Sequence, residues 1–79
     1  MKRTKGEVIA KILETCLIAS SKTNVVYGSN LNLRAVNPYL NSRMANGHII
    51  KTDEEMPRYK TTDKGKKLLA VIKKAQEVF

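Results

Sequence analysis

The chain has 79 residues, with 15 Lys and Arg against 7 Asp and Glu and a formal charge of +8 at pH 7. A chain this short makes one domain, residues 1–79, that hides only somewhat over half of the surface it exposes unfolded, so burying more of it in a homodimer would help. The excess of cations favours a polyanionic partner through phosphate neutralisation and counterion release, while no segment approaches the roughly 20 apolar residues of a membrane span, so a cytoplasmic protein is expected.

Residues 1–5 form a basic arm with Lys2, Arg3 and Lys5. Thr4 followed three residues later by Glu7 matches a capping box, in which the hydroxyl accepts from an early helix amide. It opens a first helix running to about Ala19. The apolar residues Val8, Ile9, Ile12, Leu13, Cys16, Leu17 and Ile18 keep i, i+3, i+4 spacing but cover more than one stripe. Such a helix contacts both the core and something else, a second subunit being the simplest candidate, which puts Ile9, Leu13 and Cys16 in a possible dimer interface. Cys16 is the only Cys and His48 the only His. An intrachain disulfide and a zinc site of the chain's own are therefore excluded. Cys16 reads most simply as a small buried hydrophobe, although two copies at a dimer seam could form a bridge.

Ser20 and Ser21 break this helix and cap a short second one over about 22–27, with Val25 and Val26 pointing inward. Gly28, Ser29 and Asn30 then form a turn. Asn32 caps a third helix over 33–46, where Leu33, Val36, Leu40 and Met44 recur at i, i+3, i+7 and i+11 as one core stripe. Gly47 ends it as a left-handed C-cap. Residues 48–51 and 58–61 carry β-branched or aromatic members and are joined by a polar, acidic connection that contains Pro57; they read as a hairpin. Thr61 or Thr62 caps a last helix over about 63–78, with Asp63 near its positive end and Lys73 and Lys74 toward the other. Leu68, Leu69, Val71, Ile72, Ala75, Val78 and Phe79 make it apolar over a wide arc, and Leu68, Val71, Ile72, Ala75 and Phe79 join the candidate dimer interface. The order gives an α+β, mostly α, fold: a winged helix-turn-helix of three helices, a two-stranded β-wing and a C-terminal helix, 63–79, that contributes to dimerisation.

On a wheel of about 100° per residue, the third helix turns Arg34, Ala35, Pro38, Ser42 and Ala45 outward, with Asn37 and Asn41 at one edge. Arg offers a fork to guanine, Asn pairs with the Hoogsteen edge of adenine, Ser bonds to bases or phosphate, and Pro or Ala can touch a thymine methyl. The candidate base contacts are Arg34, Asn37, Pro38, Asn41 and Ser42. A solvated face chosen for stability would favour Glu, Lys, Gln and Ala; Asn is a poor helix former and Pro38 removes a backbone donor. Candidate phosphate contacts are Lys2, Arg3, Lys5, Ser21, Lys22, Thr23, Ser29, Asn30, Asn32, Lys51, Arg58 and Lys60, which would set register without reading sequence. Asp53, Glu54 and Glu55 would keep the wing tip away from phosphates. Tyr27, Tyr39 and Tyr59 read as core or rim packing rather than stacking platforms for single-stranded bases.

The segments SKTNVVYGSNLNLRAVNPYL, NGHIIKT and YKTTDKGKKLL together resemble the archaeal winged-helix DNA-binding proteins, a group that includes the Sulfolobus 10a chromatin-type proteins and small repressor-like regulators of archaeal viruses and plasmids. The resemblance implies a homodimer on double-stranded DNA, with the third helix in the major groove and the terminal helix joining subunits. A sequence-specific transcriptional regulator is the favoured function; an architectural or chromatin protein and a winged-helix protein-interaction module are the alternatives. No His beside a nucleophile, no carboxylate pair in an apolar setting and no Gly-rich phosphate loop is present. No enzyme activity, metal, cofactor or small-molecule ligand is therefore expected.

Overall fold

Each helix of the described residues begins where a side chain takes an amide that the helix leaves unpaired. Thr4 Oγ1 accepts from Glu7 N at 3.1 Å, Ser21 Oγ from Asn24 N at 3.2 Å, Asn32 Oδ1 from Ala35 N at 2.8 Å and Thr62 Oγ1 from Gly65 N at 3.0 Å. The computed structural model describes residues 4–77. Over these the order is α1 (Lys5–Thr15), α2 (Lys22–Ser29), α3 (Leu33–Ala45), β1 (Ile49–Lys51), β2 (Tyr59–Thr61) and α4 (Asp63–Glu77). Lys2, Arg3, Val78 and Phe79 lie outside the described residues.

The spacing predicts a first helix to about Ala19, but α1 stops at Thr15. The cause is tertiary. Ser20 pairs antiparallel with Tyr59, exchanging backbone bonds of 3.0 and 2.8 Å, and its hydroxyl donates to the carbonyls of Thr15 and Ile18. That pairing needs extended backbone, so the chain leaves the helix early and Ile18 is left 81% exposed. Conversely, α2 runs on through Gly28 and Ser29, which the sequence assigns to the turn. The helix closes on Asn30, whose φ of 57° is left-handed, a conformation Asn tolerates.

β1 and β2 pair antiparallel with Ile49 opposite Thr61, Ile50 opposite Lys60 and Lys51 opposite Tyr59. Ile49, Tyr59 and Thr61 point into the protein, whereas Ile50 and Lys60 are exposed. This is the period-two alternation of a sheet with one wet face.

α1 occupies the centre, packed by α2, α4 and β2. Val8, Ala10, Ile12, Leu13 and Cys16 are all buried with Val25, Val36, Leu40, Ile49, Tyr59 and Leu69. Three expectations need correction. Leu13 and Cys16, assigned above to a dimer interface, are 0% exposed within their own domain, so the wide apolar arc of α1 is covered by neighbouring elements of the same chain. A Cys16 bridge between subunits is excluded by the same enclosure, and burial pushes the thiol up to about 11. Leu33, read as the start of the core stripe of α3, is 52% exposed, because the first turn of α3 extends past the core that covers Val36 and Leu40. Tyr27 is likewise outside, while Tyr59 is buried and Tyr39 half-buried.

The end of α3 is locked to the start of α4. Gly47, at φ 76°, lets the Gly47 amide reach the Met44 carbonyl at 3.0 Å and the His48 amide reach that of Arg43 at 2.8 Å, the paired bonds of a Schellman close. Thr62 then donates its hydroxyl to the Gly47 carbonyl at 2.6 Å and its amide to the His48 carbonyl at 3.0 Å. Gly65 lies against this junction, where any Cβ would strike the His48 carbonyl oxygen. Gly65→Ala should therefore destabilise by about 1–3 kcal/mol, the usual cost of overpacking, whereas Gly6→Ala, whose Cβ meets nothing nearer than 3.7 Å, should not. Thermal melts check this: the expected fall for Gly65→Ala is at least about 4 °C, and equal melting of the two variants would contradict it.

Candidate nucleic-acid interface

α3 stands between two flanks. On one side α2 begins at its Ser21 cap; on the other the N-terminal turn of α1 brings Lys5 and Ile9 to Ala35, Pro38, Tyr39, Ser42 and Arg43, around a cleft of about 440 Å³. Between the flanks, Arg34, Pro38, Asn41, Ser42 and Ala45 are exposed, and Asn37 is half-buried at the edge. The face derived from the helical wheel is thus present and uncovered. Arg34, Asn37 and Asn41 make no side-chain bond among the described residues, so their donors and acceptors remain available to a partner. The Ser42 hydroxyl accepts from Arg43 Nη2 at 3.0 Å and keeps its own proton to donate. Pro38 has no amide for the Arg34 carbonyl one turn back.

The candidate phosphate contacts divide. Lys5, Thr23, Asn30, Asn32, Lys51, Arg58 and Lys60 are exposed and Lys22 is half-buried. Ser21 and Asn32 spend an acceptor on capping, which fixes them and leaves donors for a phosphate. Lys22 Nζ sits 5.8 Å from the Tyr59 ring centroid, a cation–π distance that steadies it near the start of α2. Ser29 is a correction: it is 0% exposed and its hydroxyl donates to the Val25 carbonyl at 2.7 Å, so it cannot meet a phosphate. Lys2 and Arg3 fall outside the described residues. The wing tip is exposed and carries Asp53, Glu54 and Glu55 beside Met56.

Of the remaining candidate dimer residues, Ile9, Leu68 and Ile72 are half-buried against their own core. Val71 is 65% exposed, and with Ile72 and Ala75 it lines a groove of about 600 Å³ whose other wall is Thr4, Gly6 and Glu7 of the α1 end. Phe79 lies outside the described residues.

Residues 2–79 match the sequence family described as winged helix-turn-helix. The chain belongs to that family. Among solved structures, this winged helix is similar to Sso10a-2, a DNA-binding protein from Sulfolobus solfataricus, with a TM-score of 0.90 at 27% identity over 96% of this chain and 81% of that one. The resemblance to the archaeal group is thereby borne out. A MarR family protein from Bacillus stearothermophilus has a TM-score of 0.72 at 12% identity over 98% of this chain and 56% of that one. A MarR family transcriptional regulator from Silicibacter pomeroyi has 0.69 at 16% over 92% and 52%. These two show the fold alone, and the winged helix spans about half their length. No curated protein matches.

The wheel passes over Arg43 because it falls near the core stripe. Its Nη1 lies 3.1 Å from His48 Nδ1. A guanidinium only donates, so Nδ1 must accept and the imidazole must be neutral. The pairing was legible in one respect: a Schellman close brings together the residues on either side of its Gly, here Arg43 and His48. Burial first, then the charges of Arg43 and Lys64, holds the His48 pKa below its ordinary 6.5. The unfolded chain therefore binds more protons than the folded one as pH falls through 6.5, and stability present above that pH is lost below it. Urea midpoints at pH 7.5 and 5.5 should fall for the natural protein and fall less for His48→Asn, which keeps an acceptor for Arg43 but does not titrate. Equal losses would contradict the assignment.

Proposed function

We propose that the protein is a sequence-specific, double-stranded DNA-binding transcriptional regulator that acts as a homodimer with α3 in the major groove. The observation that carries this reading is the uncovered arc of Arg34, Asn41 and Ser42, in which Arg34 and Asn41 are uncommitted among the described residues, on a chain of charge +8. Arg34 would fork to guanine, Asn37 and Asn41 would bond to adenine, Ser42 to a base or phosphate, and Pro38 would lie against a thymine methyl. Lys22, Thr23, Asn32, Lys51, Arg58 and Lys60 would set the register through phosphates. DNA binding by Sso10a-2, the similar archaeal protein, supports the same reading.

Val71, Ile72 and Ala75 are the surface left for a second copy, since they border a groove that their own domain does not fill. Among the described residues no helix is long and apolar enough to cross a membrane, which fits a cytoplasmic regulator.

Sedimentation velocity with a labelled duplex, selected from a random pool, tests stoichiometry and affinity together. Two chains per duplex are expected, and affinity should fall about 10³-fold or more between 50 and 200 mM salt if six or more phosphates are neutralised. Arg34→Ala should lose about 1–3 kcal/mol on the selected sequence and little on others. Binding that is indifferent to salt, or one chain per duplex, would overturn the proposal.

A further inference from the structure

Leu33 and Tyr27 are out of place in a small domain with few apolar side chains to spare. Val36 and Leu40, on the same stripe as Leu33, are at most 1% exposed, yet Leu33 is 52% and Tyr27 79% exposed. The two meet at one spot. With Val26, Thr23 and Lys22 they line a hollow of about 350 Å³ where α2 faces the first turn of α3. Val26, Tyr27 and Leu33 give its lining apolar surface, and Lys22 and Thr23 give it polar groups, the Lys22 ammonium resting 5.8 Å from the Tyr59 ring centroid. The exposed guanidinium of Arg34 follows Leu33 directly. The backbone that carries this edge is fixed, because the Asn32 cap holds the first turn of α3.

An apolar hollow with Lys22 in its lining and Arg34 next in sequence to Leu33 fits a ligand that presents an apolar group close to an anion. Duplex DNA offers one such group in the major groove, the 5-methyl of thymine, which no other base carries and which lies toward the phosphate backbone of its own strand. Leu33 lines the hollow and is followed directly by the exposed Arg34, so a duplex lying along Arg34 and Asn41 would come within reach of it.

We propose that Leu33 and Tyr27 form a methyl-reading site, which takes the 5-methyl group of one thymine per half-site and its deoxyribose while Lys22 meets the adjoining phosphate. This rests on the DNA-binding reading and names a base that the polar arc alone would not select. Removing one methyl from an apolar contact should weaken binding about four-fold.

Duplexes in which each thymine of the selected sequence is replaced in turn by uracil provide the test, since uracil pairs identically and lacks only the methyl. Besides any position that meets Pro38, the natural protein should bind one substituted position per half-site about three- to five-fold more weakly. Leu33→Ala should lose the difference at that position, Leu33→Met and Arg34→Ala should keep it, and Lys22→Gln should weaken both forms alike. Leu33 is exposed, so the variants should fold, which circular dichroism checks. Firm binding by the natural protein that is indifferent to uracil at every position, or a Leu33→Ala variant that keeps the thymine preference at every sensitive position, would overturn the methyl-reading site while leaving DNA binding intact. Failure to bind any duplex would overturn both.

Discussion

Thr61 holds the fold together at the point where its two halves meet. Its hydroxyl donates to the Leu13 carbonyl at 2.8 Å in a buried setting, and its amide donates to the Cys16 carbonyl at 2.8 Å. These are carbonyls that a helix end leaves without partners. Buried and unpaired, each would cost about 1–3 kcal/mol, a sizeable part of the roughly 5–15 kcal/mol that keeps a domain folded. The bonds set β2 against the end of α1, β2 in turn holds Ser20 through Tyr59, and Ser20 places the Ser21 cap from which α2 starts. α1, enclosed by the elements so arranged, supplies Ile12, Leu13 and Cys16 to the centre of the core.

α3 inherits its position from this frame. Val36 and Leu40 anchor it inward, Asn32 fixes its first turn, and the bonds from Thr62 to Gly47 and His48 fix its last. With both ends tied and one stripe buried, the opposite face is held in place without the side chains of Arg34 and Asn41 being used. A preorganised surface loses little entropy when it meets a partner, which is the condition for small polar side chains such as Asn41 and Ser42 to discriminate.

All four helix starts among the described residues were legible, because a cap is a local signal: one side-chain oxygen and an amide within three residues. So were the C-cap at Gly47 and the wing. The end of α1 was not, since it is set by Tyr59, far along the chain. The apolar breadth of α1 was visible, but periodicity reports how much of a helix must be covered and not by what; α2, α4 and β2 cover it, which removes Leu13 and Cys16 from any interface. A wheel treats every turn of a helix as equally enclosed, so it placed Leu33 with Val36 and Leu40, although the first turn of α3 runs past the core. Ser29 was misread because α2 continues through Gly28, and its hydroxyl serves the helix interior. The outward arc of α3 was readable because its residue types are poor choices for a helix that does nothing but face water.

Amide chemical-shift mapping during titration with the selected duplex tests the assignment of the reader face most directly. Perturbations should concentrate on Lys22, Thr23, Leu33, Arg34, Asn41 and Ser42, with Val71 and Ala75 unmoved. Shifts centred on the groove of Val71 and Ala75, with Leu33–Ala45 silent, would contradict it.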